Sequence, residues 1–345
     1  MYPLAVIGNT PTARALLLAS AKAGFEDITW VDGPAAALQL PATTLAANTT
    51  RIILALDGGD ALRDYAHIPD RQQFRLAGSA FLLAELPLGN FTEGRYGAPL
   101  VNIDSHLWPD LLAVASTLSP NQPLQELKKD FHVIADCSAP EADLPSTHEL
   151  WHTQIPVDLK QNKANITWLG QGQTAWQFST RSATHYLFAT PKKLPLHERQ
   201  WHPLLAQAVV NAKFIGEFNA VAPKVREHWY NGQVVFLGDA CYAPNPYLRE
   251  ASACGLEDAW VLSRMLENYE EDIAEGLQQY AKYRYPRARK IVTHGSTIAQ
   301  QQNITQSPRR FFNHFKFAFN TRFLPEIAMQ GIDWFYGYDC IRGFR

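Results

Sequence analysis

Apolar positions fall into short unbroken runs near the start of the chain and again near residues 133 and 235, and at helical spacing beyond residue 255. Leu4-Ala5-Val6-Ile7 has no polar alternation, the pattern of a parallel strand buried on both faces. Gly8-Asn9-Thr10-Pro11-Thr12-Ala13 interrupts it, Arg14 to Ala23 predicts a helix closed by Gly24, and Ile28-Thr29-Trp30-Val31 predicts the next strand, ended by Asp32. Phe131 to Ala135, ending in Asp136-Cys137, and Val234 to Leu237, ending in Gly238-Asp239, read as two further buried strands. Between them lie Ile166 to Gly170, Thr174 to Phe178 and His185 to Ala189. Their β-branched and aromatic content, bounded by glycine and polar turns, predicts a sheet. Trp168, Trp176 and Phe178 offer an aromatic wall to a planar ligand, or simply pack that sheet on its neighbours.

The last third is helical. A helix is expected from near Ser252, with Leu256, Ala259, Trp260, Leu262, Ser263 and Leu266 on one stripe. A second covers Leu277 to Lys290, kinked or restarted at Pro286. Arg309 to Phe319 spaces phenylalanines at i, i+4 and i+8 beside basic residues. That helix is either a surface element touching a membrane or a core-packed terminal helix with a solvated basic edge.

Composition narrows the class. At 345 residues, 46% hydrophobic and 19% charged, the chain suits two domains or one large composite, and global disorder is excluded. A net charge of −2 argues against a nucleic-acid partner. There is no run of about 18 apolar residues, so no membrane span is expected. The chain enters directly into a strand without a basic-then-apolar leader, and the expected location is cytoplasmic. Cys137, Cys241, Cys254 and Cys340 show no metal-binding spacing and read as buried thiols; Cys241 and Cys254 flank the Gly238 loop, where redox sensitivity is the sharper alternative.

The first βαβ unit carries an acid, Asp32, about 20 residues past its glycine turn, suited to a ribose hydroxyl. Of the dinucleotide fingerprint GxGxxG only Gly8 is kept, since Thr10 and Ala13 replace the second and third glycines. Ala13 is tolerable where that glycine serves helix–strand packing. Thr10 crowds the approach to a pyrophosphate, although its hydroxyl offers a hydrogen bond.

GDACYAPNPYLREASACGLEDA, from Gly238 to Ala259, resembles the pattern GDAAHxxxPxxGQGxNxxxEDA of the FAD-dependent aromatic hydroxylases, the p-hydroxybenzoate hydroxylase-like flavoprotein monooxygenases. Gly238, Asp239, Ala240, Pro246, Leu256, Glu257, Asp258 and Ala259 fall in register. Tyr280 to Ala288 is similar to the YxxxRxPRA that follows in the family, and Asp333 to Asp339 is similar to the end of salicylate-hydroxylase-type members. The resemblance covers most of the chain in patches. It implies an α/β fold: a Rossmann-like FAD-binding domain (1–70, 96–145 and 226–300), an inserted β-sheet substrate domain (71–95 and 146–225) and C-terminal helices (301–345). It further implies cofactor contacts by Gly8, Thr10, Pro11, Ala13 and Asp32, and by Gly238, Asp239, Pro246, Arg249, Glu250 and Ala251.

Departures gather on the cofactor-facing positions. The glycine after Asp136 is Cys137, the arginine of RxxLxxxL is Asp104, the GQG turn is Arg249-Glu250-Ala251, and Tyr242 stands where the family often has histidine. Glu250 adds a negative charge beside a cofactor that becomes anionic on reduction, unless Arg249 pairs with it. The implied function is monooxygenation of an aromatic or other small organic substrate by an NAD(P)H-reduced flavin and O₂. The alternative is a divergent protein of this fold, with weak or no FAD, that acts in binding or as an accessory. No phosphate loop GxxxxGK[ST] and no Gly-x-Ser-x-Gly elbow occurs. Eleven histidines are scattered along the chain, and none is singled out as a base.

Overall fold

Leu4–Ile7 is fully buried, so its backbone groups must be paired inside the protein. In the computed structural model, which describes residues 1–35, 38–138, 145–158, 163–220, 225–242, 245–303 and 325–344, they pair on both sides. Ile28–Val31 runs parallel along one edge and Val133–Asp136 parallel along the other. The resulting six-stranded sheet has the order Tyr230–Asn231, Val234–Phe236, Val133–Asp136, Leu4–Ile7, Ile28–Val31, Leu118–Ser119. Only the hairpin of its first two strands is antiparallel. Four apolar runs of the sequence thus become central or near-central strands of one sheet.

The second sheet is mostly antiparallel and has seven strands: Lys213–Phe218, His148–Pro156, Ala183–Pro191, Thr174–Ser179, Ala164–Leu169, Arg71–Leu76 and Leu82–Pro87. The pleat sends alternate residues to opposite faces. Trp176, Phe178 and Leu187 pack on Tyr247 on one face, whereas Trp168, Tyr186 and Phe188 pack with Trp201 and Leu205 on the other. Trp168 therefore does not share the wall that Trp176 and Phe178 form. A two-stranded sheet, Ala42–Leu45 with Val101–Asp104, bridges to the larger one through Asn102, whose Nδ2 donates to Asn165 Oδ1 at 2.8 Å and to the Ser179 carbonyl at 3.0 Å.

The helix expected from Ser252 begins at Gly255 and runs to Asn268; a 3₁₀ segment, Pro246–Ala253, precedes it. The later start follows from the crossing described below, where Gly255 lies flush against Thr12. The next helix, Ile273–Gln302, is one continuous element through Pro286. Pro286 does not restart it: a proline removes one hydrogen bond of the ladder, and the turns on either side keep theirs. Expectations for residues 309–319 fall outside the described residues. No helix among those described is long and apolar enough to cross a membrane.

Candidate cofactor and substrate site

The carboxyl ends of the central strands meet three glycines. Gly8 sits at φ +107° with its Cα so near the next strand that an added Cβ would lie 3.1 Å from the Ser138 nitrogen. Gly238, at φ +53°, and Gly255 close on Thr12; an added Cβ would lie 2.6 Å and 2.0 Å, respectively, from Thr12 Oγ1. Neither contact leaves room for a side chain. The first turn of helix Pro11–Lys22, the Gly238-Asp239 turn and the start of helix Gly255–Asn268 are thereby locked together. Gly8, Thr10, Pro11, Ala13, Gly238 and Asp239 form one edge, and Asp32 stands beside it at the end of its strand. The Asp32 carboxylate accepts from Gly33 N at 2.9 Å.

Helix starts leave backbone donors unpaired, and an anion ordinarily collects them. Here few remain. Thr10 caps the helix, its Oγ1 accepting from Ala13 N at 3.2 Å and donating to the Cys137 carbonyl at 3.3 Å. Arg14 N is bonded to the Thr10 carbonyl at 3.1 Å and Pro11 has no donor, so within this first turn only Thr12 N stays available. The Thr10 hydroxyl, an expected phosphate donor, is spent on the protein. A residue the sequence reading missed completes the turn: Trp30 Nε1 donates to the Gly8 carbonyl at 2.8 Å, with the Arg14 guanidinium 4.8 Å above its ring.

Asp239 behaves differently from its neighbours. Its carboxylate is partly exposed and has no hydrogen-bond or ion-pair partner among the described residues. Desolvation, reinforced by the charge of Asp258, raises its pKa to about 6. A carboxylate held unpaired and destabilised at a sheet edge is suited to accept from a ligand hydroxyl.

Twenty residues on, the picture reverses. Glu257 and Asp258 are fully buried and fully paired. Asp258 accepts from Gly238 N at 3.0 Å, Tyr242 OH at 2.8 Å and Arg284 Nε at 2.6 Å. Glu257 accepts from Arg287 Nη2 at 3.0 Å and lies 2.8 Å from Arg284 Nη1. Burial alone would raise the Glu257 carboxyl, but Arg287 and Arg284 outweigh it and hold its pKa at about 2. Arg287 also donates to the carbonyls of Trp334 at 2.7 Å and Phe335 at 3.2 Å. The Glu-Asp-Ala, YxxxRxPRA and C-terminal segments are therefore parts of one buried junction. Tyr242, in the place of a histidine, belongs to it too.

Arg249 lies apart from the Gly8 edge. Its side chain is buried between the two-stranded and seven-stranded sheets, with Nη1 donating to Thr44 Oγ1 at 3.3 Å and Cζ 4.5 Å from the centre of the Phe178 ring. It forms no ion pair with Glu250 or with any other described residue, which removes the compensation considered for that charge. Burial lowers its pKa, against the nearby charge of Glu250. Pro246 leads into the same segment, and Tyr247, next in line, packs edge-on to Trp176 at 5.1 Å. Ala251 follows in the same 3₁₀ segment. The segment that stands in place of GQG thus packs on the aromatic wall.

The four cysteines are free and buried. Desolvation raises the thiols of Cys137, Cys241 and Cys254 well above their usual pKa, so Cys241 and Cys254 are held as thiols rather than redox-active thiolates. Among the described residues no group of three or more potential ligands is placed to hold a metal ion.

The left-handed glycines, the flush helix crossing and the open carboxylate of Asp239 fit the sugar and ribityl ends of a flavin dinucleotide. The capped helix start and the Tyr247–Arg249 packing fit its phosphate and ring ends less closely. No protein-family model matches the chain. It is 24% identical to 6-hydroxynicotinate 3-monooxygenase of Bordetella bronchiseptica over 348 residues, covering 85% of this chain and 91% of that protein. A shorter stretch of 78 residues, 23% of this chain and 21% of the other, is 40% identical to the putative FAD-dependent monooxygenase YetM of Bacillus subtilis. In three dimensions it is similar to Klebsiella pneumoniae HpxO complexed with FAD and uric acid. There the TM-score is 0.80 at 15% identity, covering 97% of this chain and 96% of that one. In sequence the chain is thus similar to monooxygenases, one of them FAD-dependent by name, and in fold to a protein that binds FAD.

Proposed function

We propose that the protein is a flavin-dependent monooxygenase that binds FAD along the Gly8–Asp239 edge and oxygenates an aromatic or other small organic molecule, with NAD(P)H and O₂ as co-substrates. The observation that carries this reading is the unpartnered, destabilised Asp239 carboxylate beside the Gly8 turn. In this reading Asp32 takes the ribose hydroxyls, and Asp239 takes a ribityl hydroxyl that relieves its desolvation. Gly8, Thr10, Pro11, Ala13 and Gly238 form the backbone cradle, with Thr12 N its first-turn donor; Pro246, Arg249, Glu250 and Ala251 flank the ring end. When bound, the flavin supplies the redox and oxygen chemistry. The chain's part is to orient the substrate against the seven-stranded sheet and to exclude water.

The test is the visible absorption spectrum of the purified protein, followed by titration with FAD and an assay of NAD(P)H oxidation across a panel of aromatic compounds. Saturable binding and substrate-stimulated oxidation are expected. A colourless protein that ignores added FAD overturns the reading.

A further inference from the structure

Four planar groups stack in sequence beside the two-stranded sheet. The Arg249 guanidinium lies over Phe178; Phe178 stacks on His185 with centroids 5.6 Å apart and 22° between planes; His185 stacks on His152 at 5.4 Å and 23°. The two imidazoles are also bonded edge to edge. His152 Nε2 lies 3.1 Å from His185 Nδ1, and His185 Nε2 lies 3.0 Å from Asp104 Oδ1. Asp104 stands where the family places an arginine.

The order of donors follows from the carboxylate. Asp104 also accepts from Thr180 Oγ1 at 3.1 Å and Ser182 Oγ at 2.8 Å. Burial raises its pKa, but the bonds from His185, Ser182 and Thr180 outweigh that, and the group is held ionised. An ionised carboxylate only accepts, so His185 Nε2 carries the proton and Nδ1 is the acceptor. His152 must then donate from Nε2, which leaves its Nδ1 lone pair free; no described residue takes it up. His185 is 1% exposed, and His152 is the half-buried end of the chain. The anion at the far end is buried among neutral donors, an arrangement that gains most when a proton arrives.

We propose, resting on the hydroxylase reading above, that His152 is the base that ionises a ring hydroxyl of the substrate, with His185 and Asp104 as its positioning residues. The proton leaves the hydroxyl for His152 Nδ1, and the oxygen keeps the electron pair as an aryloxide. The His152 Nε2 proton passes to His185 Nδ1. His152 is neutral again, in its other tautomer, and the imidazolium of His185 faces the Asp104 carboxylate. Desolvation, then the proximity of His185, lowers the pKa of His152 to about 4, so the proton does not rest there. Among the described residues, Lys213, the cross-strand partner of His152, and Arg249, beyond Phe178, are further charged groups of this face. General-base assistance of this kind is worth roughly 10²- to 10⁴-fold in rate.

The test uses 4-nitrophenol, nearly colourless when neutral and yellow as its anion, added to the FAD-titrated protein at a pH where the free dye is mostly neutral. The bound dye is expected as the anion, its ionisation favoured at least about tenfold over free dye. His152→Gln should bind the dye but leave it neutral. His185→Gln should do the same, and it serves as the second variant if His152→Gln does not fold. Asp104→Asn should weaken ionisation and Asp104→Glu should partly restore it, a rescue that mere structural support would not produce. An anionic dye on folded His152→Gln, or wild-type protein that takes up FAD but no ionised dye, overturns the relay and leaves the flavin reading standing. Loss of FAD uptake in the wild type overturns the flavin reading itself.

Discussion

Two neighbouring regions differ in how they answer a buried charge. At the junction of helix Gly255–Asn268 with helix Ile273–Gln302, Glu257 and Asp258 meet Arg284 and Arg287, and every charge has a partner. At the sheet edge Asp239 has none among the described residues, and along the 3₁₀ segment Arg249 has a hydrogen bond to Thr44 but no counter-ion among them. Most residues that match a family pattern hold the chain to itself, as Glu257, Asp258, Arg284 and Arg287 do, but Asp239 matches too and is left unanswered at the edge where a ligand would lie. A motif read along the sequence therefore reports the scaffold first. Its ligand-facing positions are tested by which charges the fold leaves unanswered.

The sharpest way to break this comparison is to remove an answered charge. Arg284→Ala leaves Glu257 and Asp258 buried with reduced compensation and should cost about 3–5 kcal/mol of stability, read by urea denaturation. The same junction sets an acid limit. Because the Glu257 pKa is depressed to about 2, its contribution is complete above the ordinary carboxylate range and is lost as pH falls toward about 2.

Asp239 should show the reverse sign. Its carboxyl is raised, so the folded state binds the proton more tightly, and stability falls as pH rises from the ordinary carboxylate range to about 6. Asp239→Asn should make the flavin-free protein about 1–2 kcal/mol more stable near neutral pH, with the gain vanishing in acid, while weakening FAD binding. Thermal melts across pH, paired with FAD titration, check both halves. Equal melts at all pH values would show that Asp239 is solvated like any surface acid.

Arg249→Met should be neutral or stabilising by about 1 kcal/mol, since a buried guanidinium without a counter-ion is replaced by an apolar chain of similar reach. A large loss of stability in denaturant would mean that the arginine has an anionic partner. The smallest stability effect is expected at the helix start. Thr10→Gly should cost only a few tenths of a kcal/mol. By freeing Ala13 N for a phosphate it should tighten FAD roughly tenfold, measured by titration.

Much of this was legible beforehand. The runs at Leu4, Ile28, Phe131 and Val234 became strands of one sheet because a strand buried on both faces needs apolar residues at every position, a requirement written locally. The helix with Leu256, Ala259 and Trp260 followed from spacing in the same way. Pro286 was misleading because the cost of a proline inside a helix is settled by what the rest of the helix packs against. Trp168 was grouped with Trp176 and Phe178 by composition, and only the register of the strands separates their faces.

The sequence by itself determined the two kinds of sheet, the helical last third and the family likeness, since these rest on periodicity and on short motifs whose residues are neighbours. Tertiary structure alone decided which polar groups meet. His185 reaches Asp104 across 81 positions and His152 across 33, and Arg287 finds Glu257 across 30. None of the eleven histidines was distinguishable along the chain. A hydrogen bond depends on distances of about 3 Å between atoms that folding brings together, and no local pattern of side chains encodes that distance.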